Sequence, residues 1–180
     1  MKIAIKTLFV FTILMLNSNA LYAAEQTNFN GAKSKTVIVV RHAEKLNDGT
    51  RDPALNKEGI LRSISLINAL PNLPLSQAIA SNYQRTQLTL KPIAEANNIT
   101  IEIVGTADGL QEHITQVVEL VKSSNGNSVV AGHSNTVPLI IKALGGPKIT
   151  PLKESDYGDL YLLSIKETGE VSLEKHHFGK

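Results

Sequence analysis

The fold is decided by a run of five β-branched residues, Thr36-Val37-Ile38-Val39-Val40. A continuous run of this kind, without polar alternation, is typical of a strand that is buried on both faces. A second apolar strand, Ser128-Val129-Val130-Ala131-Gly132, occurs later in the chain. Because such strands need helices on both faces of their sheet, the sequence predicts an α/β domain.

Four helices are predicted around these strands. Asn56 is a suitable N-cap for the first, in which Ile60, Ile64 and Ile67 recur at helical spacing and predict its buried side. The second spans about 83–97 and contains Pro92, which predicts a kink or a break because proline lacks an N–H. The third carries the apolar residues Ile114, Val117, Val118 and Val121, and the fourth contains Val137 to Leu144.

Shorter strands fill the remaining positions. Ala78–Ala80 is one, and residues 99–104 alternate in a way that predicts one buried face on Ile99, Ile101 and Ile103. Two apolar runs at 160–165 and 171–173 predict a C-terminal hairpin. We therefore expect a three-layer α/β/α sandwich whose sheet is mostly parallel, with an antiparallel C-terminal edge.

The first 24 residues have the pattern of a secretory signal peptide. Lys2 and Lys6 flank the start of an apolar run, and small residues follow, with the cut after Ala20, Ala23 or Ala24. The run is shorter than the roughly 20 residues that a membrane span needs, so an uncleaved anchor is the less favoured alternative. We expect a signal peptide at 1–24, a flexible lead-in at 25–34, one domain at 35–180, a periplasmic or secreted location, and no membrane span after cleavage.

Composition excludes several classes of function. The chain has 180 residues, with 18 Lys and Arg, 16 Asp and Glu, and no Cys. Removal of residues 1–24 takes away two lysines, and the formal net charge becomes zero, which argues against a nucleic-acid-binding surface. The absence of cysteine excludes disulfides, thiolate metal sites and a cysteine nucleophile.

Polar residues follow three of the predicted strands. They are Arg41-His42 after the first, Arg85 shortly after Ser81, and His133 after the strand that ends at Gly132. Since ligands of α/β sheets bind at the carboxyl ends of the strands, two arginines and two histidines are expected at one rim. Such a rim has too little carboxylate for a typical metal site, and no cofactor is predicted. It suits a small phosphorylated substrate, because arginine binds phosphate oxygens in pairs and a neutral imidazole attacks phosphorus.

The same segments resemble the signature blocks of the histidine phosphatase superfamily, which includes phosphoglycerate mutase-like enzymes. Arg41-His42-Ala43 is similar to its Arg-His-Gly block, with alanine where glycine is usual. Residues 81–89 resemble its second block, and Gly132-His133-Ser134 its third. The resemblance covers residues 36–163 and implies a phosphoglycerate mutase-like fold.

The resemblance also implies roles for these residues. His42 would be the nucleophile that becomes phosphohistidine, and Arg41, Arg85 and His133 would hold the phosphoryl oxygens. Ser134 would either face the phosphate or cap the helix that follows it.

An alkoxide leaving group needs an acid, and three carboxylates are candidates. Glu112, within Leu110-Gln111-Glu112-His113-Ile114, is the first choice because this block resembles small exported bacterial members such as the lipopolysaccharide heptose-phosphate phosphatases. Asp108 and Glu44 are the alternatives. A zinc site made of His113, His176 and His177 is disfavoured, because these histidines lack the helical i, i+4 spacing of metal ligands.

We therefore expect an exported phosphatase that hydrolyses phosphomonoesters, for example a phosphorylated cell-envelope sugar. Two alternatives stay open. One is a non-catalytic phospholigand-binding module of the same fold. The other is a phosphohistidine or phosphoramidate hydrolase, to which the protein would be limited if no acid is in place.

Overall fold

The computed structural model of the chain describes residues 34–70 and 72–180. The predicted signal peptide at 1–24, and the lead-in up to residue 33, lie outside the described residues. Within the described part, no helix combines the length and the apolar character needed to cross a membrane. Strands and helices alternate in the following order: β1 (Lys35–Arg41), α1 (Lys57–Ala69), β2 (Leu75–Ser81), α2 (Gln84–Ala96), β3 (Ile101–Val104), α3 (Leu110–Ser123), β4 (Asn127–Gly132), α4 (Val137–Ala143), β5 (Asp159–Ile165) and β6 (Val171–His177).

The strands form one six-stranded sheet in the order β3-β2-β4-β1-β5-β6. The first four strands of the chain pair in parallel, whereas β5 is antiparallel to β1 and β6 is antiparallel to β5. The predicted parallel sheet with an antiparallel C-terminal edge is therefore confirmed. The hairpin between β5 and β6 turns at Gly169, whose φ of 84° favours glycine.

Helices cover both faces of the sheet, because the central strand β1 is apolar on both. Val37 and Val39 pack on the side of α3 and α4, and Ile38 and Val40 pack on the side of α1 and α2. All four of these side chains have an exposed fraction of 0%. The structure is the three-layer sandwich that the β-branched run predicts.

The isoleucine spacing predicts the buried side of α1 only in part. Ile67 packs partly buried against the core, but Ile60 and Ile64 are 51% and 48% exposed, and the buried residues of the helix are Gly59, Ser63 and Leu66. Asn56 is the N-cap as predicted, since its side chain accepts a hydrogen bond from the Gly59 N–H. Gly59 determines which side faces inward: a Cβ there would lie 2.1 Å from the Glu44 carbonyl oxygen, so this face packs directly on the backbone after β1.

Two smaller expectations differ in part from the structure. Of the kink or break predicted at Pro92, the break does not occur, because α2 runs through this residue as one helix. In β3, Ile103 is 49% exposed although the alternation predicts that it is buried, and Val104 is buried instead. Because β3 is the outer strand of the sheet and only four residues long, it has one neighbour and little cover.

Candidate active site

The pairing of β1 with β4 places the two predicted catalytic histidines side by side. Arg41 and Gly132 are the last paired residues of this register, so His42 and His133 leave the sheet at the same level. The His42 N–H donates to the Gly132 carbonyl at 2.9 Å, and the two imidazole centroids lie 5.4 Å apart. A Cβ at Gly132 would lie 2.6 Å from Thr136 Oγ1, so glycine permits the close turn from β4 into the next helix.

A pocket of about 410 Å³ opens at this rim. Its walls come from the carboxyl ends of β1, β2 and β4, from the segment after β3, and from the loop that precedes β5. The polar side chains that line it include His42, Lys45, Arg85, His113, His133 and Glu154. The cations Lys45 and Arg85 outnumber the carboxylate of Glu154 among these residues, so the pocket is suited to an anionic ligand.

His42 is held in the form that a nucleophile needs. Its exposed fraction is 3%, and its Nδ1 lies 2.8 Å from the carbonyl oxygen of Ala43. Because a carbonyl only accepts, Nδ1 carries the proton and Nε2 keeps its lone pair. Burial lowers the pKa of His42 from 6.5 to about 3, against the opposing effect of the Ala43 hydrogen bond, and the nearby guanidinium charge of Arg41 lowers it further. The imidazole is therefore neutral at physiological pH.

His133 is neutral for related reasons. Burial lowers its pKa from 6.5 to about 3, and the neighbouring His42 and Arg85 add to the effect. Its Nδ1 lies 3.5 Å from Arg85 Nη2 and its Nε2 lies 2.9 Å from Ser81 Oγ. Since a guanidinium only donates, Nδ1 is the acceptor and the Nε2–H donates to Ser81. His133 thus connects the ends of β2 and β4 through its hydrogen bond to Ser81, and it accepts a hydrogen bond from Arg85 Nη2.

Arg85 enters the pocket from the first turn of α2. Its guanidinium carbon lies 4.3 Å from the ring centroid of Tyr83, and its Nη1 is 3.6 Å from Asp52, an ion pair too long for a hydrogen bond. Nε and Nη1 of Arg85 are buried and have no hydrogen-bond partner among the described residues. Buried N–H groups normally have an acceptor, so these two are available to oxygen atoms of a ligand.

Arg41 is bound more tightly to the protein than its predicted role implies. It is 1% exposed and does not line the pocket. Its Nη1 donates to the carbonyls of Lys153 and Glu154 at 2.7 and 2.8 Å, and its Nη2 donates to the Glu154 carboxylate at 2.8 Å. Only Nε lacks a partner within the described part of the chain. Arg41 therefore fixes the loop before β5 against the end of β1.

The structure does not bring the predicted proton donors into the pocket. Glu112 is exposed and its carboxylate accepts a hydrogen bond from Gln116 at 2.8 Å. Asp108 is exposed as well, and Gly109, not Asp108, is the N-cap of α3. The reason is helical phase: the buried side of α3 begins at His113, and the residue before it points outward.

Glu44 is occupied by a structural ion pair. Arg62 Nε and Nη2 donate to its two carboxylate oxygens at 2.7 to 3.0 Å. Burial raises the pKa of Glu44, but these hydrogen bonds outweigh it and hold the pKa below its ordinary value. The group is thus ionised and directed at Arg62, which suits it to positioning the loop after His42.

Two residues that line the pocket, Glu154 and His113, are not among the catalytic or phosphate-binding residues predicted from the sequence. Glu154 bridges predicted phosphate ligands, because it accepts from Ser134 Oγ at 2.6 Å as well as from Arg41. No periodicity or motif marks this loop residue. His113 had a signal that could have found it, since it precedes Val117 and Val121 at i, i+4 and i+8 on the buried face of α3.

The histidines considered for zinc are not brought together as a ligand set. His113 lines the pocket, whereas His176 and His177 lie on the edge strand β6 beside Glu174 and Asp159. Across residues 34–70 and 72–180, no group of three or more His, Cys, Asp or Glu residues could hold a metal ion.

Several solved structures that are named as phosphatases have a similar fold. The protein histidine phosphatase SixA complexed with tungstate superposes with a TM-score of 0.64 at 17% identity, covering 79% of this chain and 96% of that one. The α-ribazole phosphatase from Shigella flexneri gives a TM-score of 0.58 at 15% identity, covering 77% and 94%. The mycobacterial glucosyl-3-phosphoglycerate phosphatase gives 0.56 at 13% identity, covering 80% and 98%. At these identities the matches establish the fold.

The sequence is similar to a known family over a little less than half of its length. No curated protein matches it. Residues 37–119 are similar to the family model described as the histidine phosphatase superfamily, branch 1. This segment includes His42 and Arg85, and His133 lies beside both of them in the structure.

Proposed function

We propose that this protein is an exported phosphatase that hydrolyses phosphomonoesters through a phosphohistidine on His42. One observation carries the proposal: His42 is a buried, neutral imidazole whose Nδ1–H is bound to the Ala43 carbonyl, so that Nε2 is free to attack. The partnerless N–H groups of Arg85 lie at the same rim and can receive phosphoryl oxygens. Phosphoryl transfer requires a nucleophile and, at the same rim, N–H groups that donate hydrogen bonds to the phosphoryl oxygens.

The reaction proceeds in two steps. His42 Nε2 attacks phosphorus in line with the leaving group, a P–N bond forms, and the P–O bond to the alcohol breaks. Water then attacks the phosphohistidine, the P–N bond breaks, and inorganic phosphate leaves. Arg85 stabilises the charge on the phosphoryl oxygens in both steps, and His133 keeps the Arg85 fork in position through its Nδ1.

A phosphorylated cell-envelope sugar is the proposed substrate class. The pocket of about 410 Å³ has room for a group larger than phosphate. Its positive side chains are concentrated at the rim, and the net charge of residues 25–180 is zero. Export is part of the proposal and rests on the basic, apolar and small-residue pattern of residues 1–24.

A phosphoramidate or phosphohistidine hydrolase is the second candidate. The observation that favours it is that the three carboxylates considered as proton donors do not line the pocket. Without an acid, turnover is restricted to leaving groups that depart readily.

The first experiment tests the nucleophile. Purified protein lacking residues 1–24 is expected to hydrolyse 4-nitrophenyl phosphate, and H42A should lower kcat/KM by at least about 10⁴-fold because the covalent path is lost. The exposed His176 on β6 provides a matched control, and H176A should keep full activity. Retained turnover in H42A contradicts the mechanism.

Trapping distinguishes the enzyme from a non-catalytic module. Radiolabelled phosphate should remain on the wild-type protein after a denaturing quench at alkaline pH, where phosphohistidine is stable, and should be absent from H42A. Binding of phosphate or vanadate by calorimetry, with no trapped phosphoenzyme and no turnover on sugar phosphates, nucleotides, inositol phosphates or phosphohistidine, supports the binding module instead.

Export is tested separately. When the full chain is expressed in a Gram-negative host, mass spectrometry of the periplasmic protein should show an N-terminus immediately after residue 20, 23 or 24. An intact N-terminus on protein from the cytosolic fraction contradicts this part of the proposal and leaves the chemistry unaffected.

A further inference from the structure

A third histidine lines the pocket that contains His42 and His133. His113 lies in the first turn of α3 with an exposed fraction of 3%, and it lines the same pocket as His42 and His133. Its neighbour in sequence, Glu112, points to solvent. The segment after β3 therefore contributes an imidazole to the pocket and keeps its carboxylates outside it.

The backbone fixes the orientation of this imidazole. His113 Nδ1 lies 2.9 Å from the carbonyl oxygen of Gly105, in the segment between β3 and α3. Because that oxygen only accepts, Nδ1 carries a proton in both ionisation states of the ring, and Nε2 is the nitrogen that gains or loses one. Nε2 has no hydrogen-bond partner among the described residues, so no protein group competes for its proton.

We propose that His113 is the general acid of the reaction, donating its Nε2 proton to the oxygen of the leaving alcohol. The inference rests on the phosphatase function proposed above. When His42 attacks phosphorus and the P–O bond breaks, the alkoxide takes the proton from the His113 imidazolium, which becomes neutral. In the second step the neutral Nε2 takes a proton from water as its oxygen attacks the phosphohistidine. The products are an alcohol and hydrogen phosphate, and His113 has regained its proton.

Glu154 is the carboxylate that lines the pocket, and its hydrogen bonds argue against it as the proton donor. The Ser134 hydroxyl donates to one of its carboxylate oxygens and Arg41 donates to the other. The Ser134 hydrogen bond and the Arg41 charge together hold the pKa of Glu154 below its ordinary value, despite a smaller opposing effect of burial. An ionised carboxylate that already accepts from two donors has no proton to release.

The test compares two substrates of similar shape that differ in how much help their leaving group needs. Phenyl phosphate releases a more basic oxygen than 4-nitrophenyl phosphate, and glycerol 2-phosphate extends the series to an alkoxide. In H113N, the amide can still donate to the Gly105 carbonyl. We expect kcat/KM to fall about 10²- to 10⁴-fold on glycerol 2-phosphate, less on phenyl phosphate, and less than about tenfold on 4-nitrophenyl phosphate.

E154Q is the matched control, because it removes the carboxylate that lines the pocket. It should change all three substrates by the same factor. Equal losses on all substrates in H113N, or a leaving-group-dependent loss in E154Q, overturn the assignment of His113. Failure of the wild type to form a phosphoenzyme or to turn over any ester instead overturns the proposed function itself.

A measurement on the wild type keeps the proposal testable even where H113N folds poorly. Proton transfer in the transition state predicts that kcat/KM for glycerol 2-phosphate is lower in D₂O than in H₂O, with no such difference for 4-nitrophenyl phosphate. The absence of a solvent isotope effect on both substrates overturns the proposal.

Discussion

The two sides of the pocket are built in different ways. On one side, His42 and His133 follow β1 and β4, adjacent parallel strands in the interior of the sheet, where residue pairing continues to the last residue of each strand. On the other side, His113 follows β3, the four-residue outer strand, and its position depends on a loop and the first turn of a helix. The position of the proposed nucleophile is therefore set by sheet register, whereas the position of the proposed general acid is set by helix rotation.

The same substitution at the end of each strand sharpens this contrast. G132A should destabilise the protein by about 2–3 kcal/mol, because the new Cβ would lie 2.6 Å from Thr136 Oγ1 and 3.3 Å from Val137 Cγ2. G105A should be close to neutral, because its Cβ meets no atom within 4 Å. Urea unfolding of both variants measures the difference. Equal stabilities contradict the view that the central strands constrain the site more tightly.

These differences explain how much could be predicted from the sequence. The strand-end residues Arg41, His42, Arg85 and His133 follow apolar runs that are recognisable as strands, and parallel strands present their carboxyl ends together. Their proximity is thus a consequence of the fold class. Their catalytic roles remain predictions until the variants are measured.

The fold class does not determine in the same way which side chain of α3, after β3, points into the pocket. A rotation of about 100° separates neighbouring residues of a helix, so a choice between Glu112 and His113 requires the phase of α3. Val117 and Val121 indicate that phase, and it places His113 on the buried face of α3. The resemblance favours the neighbouring carboxylate of Glu112, and the sequence interpretation treats His113 only as a metal ligand. On α1, the isoleucine spacing misled in part, for another reason: a backbone contact at Gly59, not an apolar stripe, determines its buried side.

The pH dependence of stability provides the second test, in which the expected change in the free energy of unfolding is smaller. The pKa of His133 is about 3 in the folded protein and is ordinarily 6.5. Between these two pH values, His133 binds a proton in the unfolded chain and stays neutral in the folded chain. The resulting stability is complete above about pH 6.5 and is lost as the pH falls toward 3. Replacing His133 with Asn should remove up to about 1.4 kcal/mol per pH unit from this slope.

Urea unfolding between pH 7 and pH 4 measures the slope, with H176N as the control for loss of a histidine. His42 has the same lowered pKa and should give a similar result. A slope in H133N that equals that of the wild type would mean that His133 is not held neutral at the centre of the site.

The smallest effect is expected at Glu112. Its carboxylate is exposed and bonded to Gln116, so E112Q should change kcat/KM by less than about twofold on both phenyl phosphate and 4-nitrophenyl phosphate. D108N should behave alike. A loss of more than tenfold restricted to phenyl phosphate in E112Q would show that α3 presents its carboxylate to the substrate, and it would reverse the assignment on this side of the pocket.

The bridge made by Glu154 has a consequence for how strongly any anion can bind. Its carboxylate receives hydrogen bonds from both Arg41 and Ser134, two residues implied as phosphate ligands. If a phosphoryl oxygen takes either hydrogen bond, as the proposed function requires, it replaces the Glu154 carboxylate. Glu154 would then be a tethered competitor, and the measured affinity for phosphate would be the binding free energy of phosphate minus that of the carboxylate it displaces. We expect a dianion with three acceptor oxygens to displace the carboxylate more readily than a small monoanion.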